Sequence, residues 1–220
     1  LSGLVATRIV ERYKRDDSEF DRAVAFIDAT FAVALTLLVT TLDLRPAPKA
    51  WNSVSAFYDG LGSQLVAFGI SFVVIAGYWL SHYRLMATFK ALDLRVIVVN
   101  LLLLATIVIL PFSTESAGDP SINDLPIPTV LLALNVAAVS SAFTLLYVQA
   151  RRRGLLKVDP PPREFMWTTL AFLAPAIVFF ASVPIALLVS VSAAQLSWLA
   201  LIAVNPIIGV ASTRSRQPAS

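Results

Sequence analysis

Two ionisable residues stand at the mouth of a long apolar run: Arg22 and Asp28 precede residues 29–42, which carry no charge. An ionisable group inside a membrane-spanning helix is costly, and by default it marks a functional site. The run beyond them contains hydroxyls at helical spacing. Val33, Leu37, Thr40 and Leu44 fall at i, i+4, i+7 and i+11, one stripe of a helix, and Thr36 lies on its flank. Apolar side chains interleaved with hydroxyls along one stripe can narrow a water path and offer oxygens to a cation. The same stripe can equally be packing surface, with each threonine bonded back to its own helix. Arg22 and Asp28 lie about 9 Å apart along a helix axis and on different faces, so they do not pair within their own helix. His82 closes the second apolar segment and Asn100 sits near the start of the third, at a depth comparable to Asp28. An Asp28–His82–Asn100 cluster is therefore expected, with Trp79 as its apolar part or as an interfacial anchor.

The elements that would carry these residues follow from composition. The chain has 220 residues, of which 57% are hydrophobic and 14% charged, with a mean hydropathy of +0.77. Soluble domains run at about 45–50% apolar and about 25% charged. Six apolar segments, each long enough to cross a bilayer, are expected at about 22–44, 61–82, 94–114, 127–149, 165–188 and 195–212. Pro175, Pro184 and Pro206 interrupt the last two, which reads as kinked helices rather than loops. The expectation is an all-α polytopic membrane protein. Residues 22–212 form one six-helix domain, 1–21 an arm and 213–220 a tail.

Charge distribution sets orientation. Of the 17 basic residues, all but Arg45 and Lys49 fall in the N-terminal arm, the second and fourth loops and the tail. The positive-inside rule makes that side cytoplasmic, with both termini on it and the chain multi-pass in the cell membrane. The opposite loops hold Asp43, Asp59, Glu115, Asp119 and Asp124. This acidic excess is either ordinary loop solvation or a means of concentrating cations at an external mouth. The first twenty residues are polar and read as an amphipathic or disordered arm without an apolar signal core, so the first span serves as the insertion signal.

Several functions are set aside. There is no cysteine and one histidine, which excludes a disulfide framework and a thiolate metal site and argues against a histidine metal site. No Walker loop, dinucleotide glycine pattern or nucleophile elbow is present. Ser81 beside His82 is sequence adjacency only, since a nucleophile–base pair needs geometry and an orienting acid. The net charge of +3 follows membrane topology rather than a nucleic-acid surface. The Arg151–Arg153 run reads as a topology anchor that favours anionic head groups. Neither an enzyme nor a cofactor is expected.

The motifs, in order along the chain, resemble a known family. Arg22-x-x-x-Phe26-x-Asp28 is similar to the Arg-x-x-x-Phe-Ser-Asp pattern of the transmembrane protein 175 potassium channels. Trp79-x-x-His82 is similar to the family's Trp-x-x-His at the end of the second helix. Asn100 with the run to Leu104, followed by Leu110-Pro-Phe-Ser-Thr114, is similar to its third helix. Ile27 stands where the family has serine, so one hydroxyl of the pattern is absent.

The resemblance implies a homotetramer in which the first helix of each subunit lines a central potassium-permeable pore. It implies an apolar constriction at Val33 and Leu37, hydroxyl layers at Thr36 and Thr40, and no carbonyl filter. Arg22, Phe26, Asp28, Trp79, His82 and Asn100 would form the network that holds the pore helix against its own subunit. The partners expected are potassium ions, the lipid bilayer and other copies of the chain. A proton-conducting pore or leak, and a non-conducting membrane scaffold or transporter, remain the alternatives.

Overall fold

The computed structural model describes residues 12–42, 51–119 and 121–201. Among these residues, six helices, one 3-10 turn and two short strands follow in the order β1 (Arg12–Lys14), α1 (Ser18–Leu37), the 3-10 turn (Leu38–Thr41), α2 (Val54–Ala87), β2 (Ala91–Asp93), α3 (Leu94–Gly118), α4 (Pro126–Arg152), α5 (Pro162–Leu188) and α6 (Val191–Ser197). The five helices α1–α5 are long and apolar enough to cross a membrane. They match the first five expected segments, with α2 starting at Val54 rather than Leu61 and α1 at Ser18 rather than Arg22. The sixth segment, expected at 195–212, lies mostly outside the described residues, as do Pro206, the tail, Leu44, Arg45 and Lys49.

Helix starts follow local chemistry. Ser53, Asp93 and Ser190 cap α2, α3 and α6, each accepting from the backbone N–H three residues on, at 3.1, 3.0 and 3.1 Å. Helices α4 and α5 open on Pro126 and Pro162, whose missing N–H costs nothing in the first turn. Pro175 and Pro184 both lie inside the continuous α5. Helix α4 ends in a Schellman turn: Leu155 N donates to Ala150 O and Gly154 N to Arg151 O, both at 2.9 Å. Gly154 supplies the left-handed residue, φ +64°, that this turn requires.

Helix α3 packs against α4 and α4 against α5, while α1 rests on α2 and α3. The core between them includes Phe31, Ile75, Leu103, Ile107, Val139 and Leu146, all fully buried. Asn135 joins α4 to α3 beside Pro111. With its amide turned to satisfy both ends, it donates to Thr106 O (3.0 Å) and accepts from Ser113 Oγ (2.9 Å) and Leu110 N (3.1 Å). This cross-link sits one rung before the one that Pro111 removes from the α3 ladder.

The helical expectation needs one correction, at the basic end. The arm is not merely amphipathic or disordered: Arg12, Tyr13 and Lys14 pair antiparallel with Asp93, Leu92 and Ala91. Arg15 then donates to Met86 O and Phe89 O at 3.3 and 3.1 Å, a cation on carbonyls at and beyond the end of α2. The loop after α4 joins the same base, with Lys90 N donating to Leu155 O and Lys157 N to Thr88 O. Three segments distant in sequence thus form one plate beneath α1. The arginine run is also more than a topology anchor. Arg151 binds Asp159 Oδ1 (2.9 Å) and lies over the Phe165 ring, and Arg153 ion-pairs with the buried Asp93, leaving Arg152 exposed.

Candidate functional site

Helix α1 has two faces. Phe20, Ile27, Phe31, Ala34 and Leu38 are buried against the rest of the chain. Ile27, where the serine of the family pattern would stand, is therefore a core residue. Val33 is 53% and Leu37 42% exposed, and Thr36 and Thr40 are exposed beside them. Thr36 donates its hydroxyl to Val33 O at 2.8 Å and Thr40 to Leu37 O at 2.7 Å. Each hydroxyl proton is thereby used within the helix, and the oxygen lone pairs face outward. The change from α to 3-10 winding after Leu37 matters here. Side chains three apart eclipse in a 3-10 turn, which sets Thr40 in line with Leu37 rather than with Val33.

Below this stripe the polar residues form two hydrogen-bonded pairs. Trp79 Nε1 donates to Asp28 Oδ1 at 3.0 Å, bridging α1 and α2. His82 Nε2 and Asn100 Oδ1 are 2.8 Å apart, bridging α2 and α3. Asn100 Nδ2 donates to Val96 O at 3.0 Å, which makes its Oδ1 the acceptor and places the proton on Nε2 of His82. No hydrogen bond joins Asp28 to His82 among the described residues; the ring of Phe31, 5.7 Å from the His82 ring, packs there instead. His82 Nδ1 is buried with no partner among the described residues. Trp79 is thus a polar partner, beyond its apolar role.

Arg22 and Phe26 stand apart from both pairs. Both are exposed, Phe26 at 59%, on the face of α1 that also carries Val33 and Leu37. Within the chain they do not hold α1 to its neighbouring helices, unlike the network expected from the motif. Sequence reasoning missed three supporting contacts: the Asn135 cross-link, the Arg15 cap on α2 and the Asp93–Arg153 pair. Asn135, a lone amide inside a span, carried a readable signal. The others did not.

The arrangement of two polar bridges behind an exposed stripe is accompanied by similarity to known proteins. A potassium channel of Streptomyces collinus is 30% identical over 152 residues, 66% of this chain and 72% of that protein. The chain belongs to the TMEM175 family. The model of that family, endosomal/lysosomal potassium channel TMEM175, matches residues 22–111, from Arg22 at the mouth of α1 to Pro111 in α3. Membership is in an ion-channel family, not an enzyme family. A solved TMEM175 homologue from Chamaesiphon minutus, described as a lysosomal potassium-selective channel homologue, shares the fold at a TM-score of 0.67. It is 23% identical, over 91% of this chain and 100% of that one. A variant of the potassium channel MtTMEM175, solved with a Nanobody-MBP fusion protein, superposes at 0.64 with 19% identity, covering 94% and 97%. The TMEM175 fold thus extends over nearly the whole chain, beyond the segment that the family model matches.

Proposed function

We propose that the chain is one subunit of a homotetrameric, potassium-permeable channel in which four copies of α1 line the pore. The observation that carries this reading is the face of α1 left uncovered by its own subunit. It presents Val33, Thr36, Leu37 and Thr40, in a helix whose opposite face is fully packed. A membrane protein has no water to solvate outward hydroxyls, so such a stripe needs either lipid, a partner helix or a water-filled path. Its hydroxyl lone pairs suit the third. Val33 and Leu37 would form apolar rings that narrow the path, and Thr36 and Thr40 the oxygen layers between and beyond them. The Asp28–Trp79 and His82–Asn100 bridges would fix α1 at the depth where these rings meet.

Family membership and the potassium channels named among the relatives support the permeant ion. The excess of basic residues at the end holding β1 supports a cytoplasmic position for that end and for both termini, with residues 22–212 as one six-helix unit in the cell membrane. Liposome flux on purified protein is the direct test. Potassium is expected to leave loaded vesicles faster than sodium, through an assembly with the mass of four chains. Vesicles that hold both gradients, or a monomer in lipid, would end this reading.

A further inference from the structure

On the outside of the bundle, at its basic end, two clefts of about 390 and 300 Å³ adjoin between α2 and α5. They share Thr88, Tyr147 and Glu164, so they form one groove running along the helix ends, with Tyr147 of α4 on its wall. Arg84 lines one end and Lys157 the other. Both are exposed, and neither has a carboxylate partner among the described residues. Arg151 and Arg153, at the same end, are by contrast ion-paired. Two free cations against the single carboxylate of Glu164 leave the groove electropositive.

We infer that this groove holds the head group of an anionic glycerophospholipid whose head group carries hydroxyls. The phosphate is matched by Arg84 and Lys157. The hydroxyls are matched by acceptors. Ser81 already donates to Gly77 O and Thr88 to Leu85 O, at 2.8 and 2.7 Å, so both have oxygen lone pairs to offer in the groove. A choline head group offers no hydroxyl and sets its cation against Arg84 and Lys157. The position favours a lipid over a soluble anion. Leu80 and Tyr83 on α2 and Met166 and Leu170 on α5, in the turns beside the groove, are exposed apolar surface of membrane-spanning helices. Leu85 and Phe172 line the groove itself and give the glycerol end an apolar floor. The inference concerns the lipid-facing outside of the subunit and is independent of conduction through α1.

Native mass spectrometry of the purified protein, equilibrated with equal amounts of phosphatidylglycerol and phosphatidylcholine of the same chain length, tests it. Phosphatidylglycerol should be retained in preference. The Arg84→Gln/Lys157→Gln protein should lose about fivefold of that preference per charge, from about 1 kcal/mol for each cation near an anionic lipid. Lys90→Gln/Arg95→Gln, which removes two exposed cations at the same end that line neither cleft, should retain it. Equal retention by wild type and the Arg84/Lys157 variant overturns the assignment, and so does an equal loss in the Lys90/Arg95 control. Glycerol phosphate in water should leave the retained lipid in place; its binding in the lipid's stead at the same concentration would make the site one for a soluble anion.

Discussion

The indole of Trp79 donates to the carboxylate of Asp28 across the α1–α2 contact, at 3.0 Å. Asp28 is the acid of the first motif and Trp79 the first residue of the second, so the two motifs meet in space through one bond. Interhelical hydrogen bonds in membranes contribute about 0.6 kcal/mol on average and up to about 1.7. Trp79→Phe keeps the ring and removes the donor, so it should destabilise the protein by about 1 kcal/mol in denaturant titration from detergent. In a double-mutant cycle with Asp28→Ala, which removes the acceptor, the coupling should match that loss. Strictly additive effects would mean that the bond contributes nothing.

In the proposed pore, the exposed stripe of α1 would separate constriction from selectivity. Val33→Ala widens the apolar ring and should raise potassium flux into vesicles. Thr36→Val keeps the shape and removes the oxygen, so it should lower the potassium-over-sodium preference with little change in assembly. A hydroxyl contact worth about 1 kcal/mol sets the scale at up to about fivefold in permeability ratio. Reversal potentials under bi-ionic conditions measure this. A Thr36→Val channel with unchanged selectivity would move the oxygen layer elsewhere.

At the basic end, Arg153 ion-pairs with Asp93, a carboxylate with no exposed surface that also caps α3 through Val96 N. Removing one member of such a pair strands the other. Arg153→Met should therefore cost about 3 kcal/mol, the low end for a buried pair, because Arg153 is itself partly exposed. Asp93→Asn keeps an equally good cap and should cost far less. Combining it with Arg153→Met should restore most of the loss, since no buried charge then remains. Thermal unfolding of the three variants in detergent decides it.

Much of the architecture was legible beforehand. Five of the spans could be placed within a few residues because apolar runs of membrane length leave little choice, and the family pattern from Arg22 to Pro111 was readable residue by residue. The contacts at the ends of the helices were not legible. A three-residue strand such as Arg12–Lys14 has no periodic signal, and its partner Ala91–Asp93 is distant in sequence. Arg151 and Arg153 look identical as text, yet one lies over Phe165 and the other reaches Asp93.

The sequence by itself determined that the chain crosses the membrane, where its five long helices run and which end is basic, because transfer into lipid depends on composition along each segment. It also placed Val33, Thr36 and Leu37 on neighbouring turns of one helix, because helical spacing is a local property, whereas the 3-10 winding that sets Thr40 in line with Leu37 was not readable. Only the tertiary structure decided which face of α1 the rest of the chain covers. It also decided that Asp28 pairs with Trp79 while His82 pairs with Asn100, and that Arg22 and Phe26 stay outside both bridges. Those outcomes depend on the rotation and depth at which whole helices pack, and packing is fixed jointly by residues far apart in the chain.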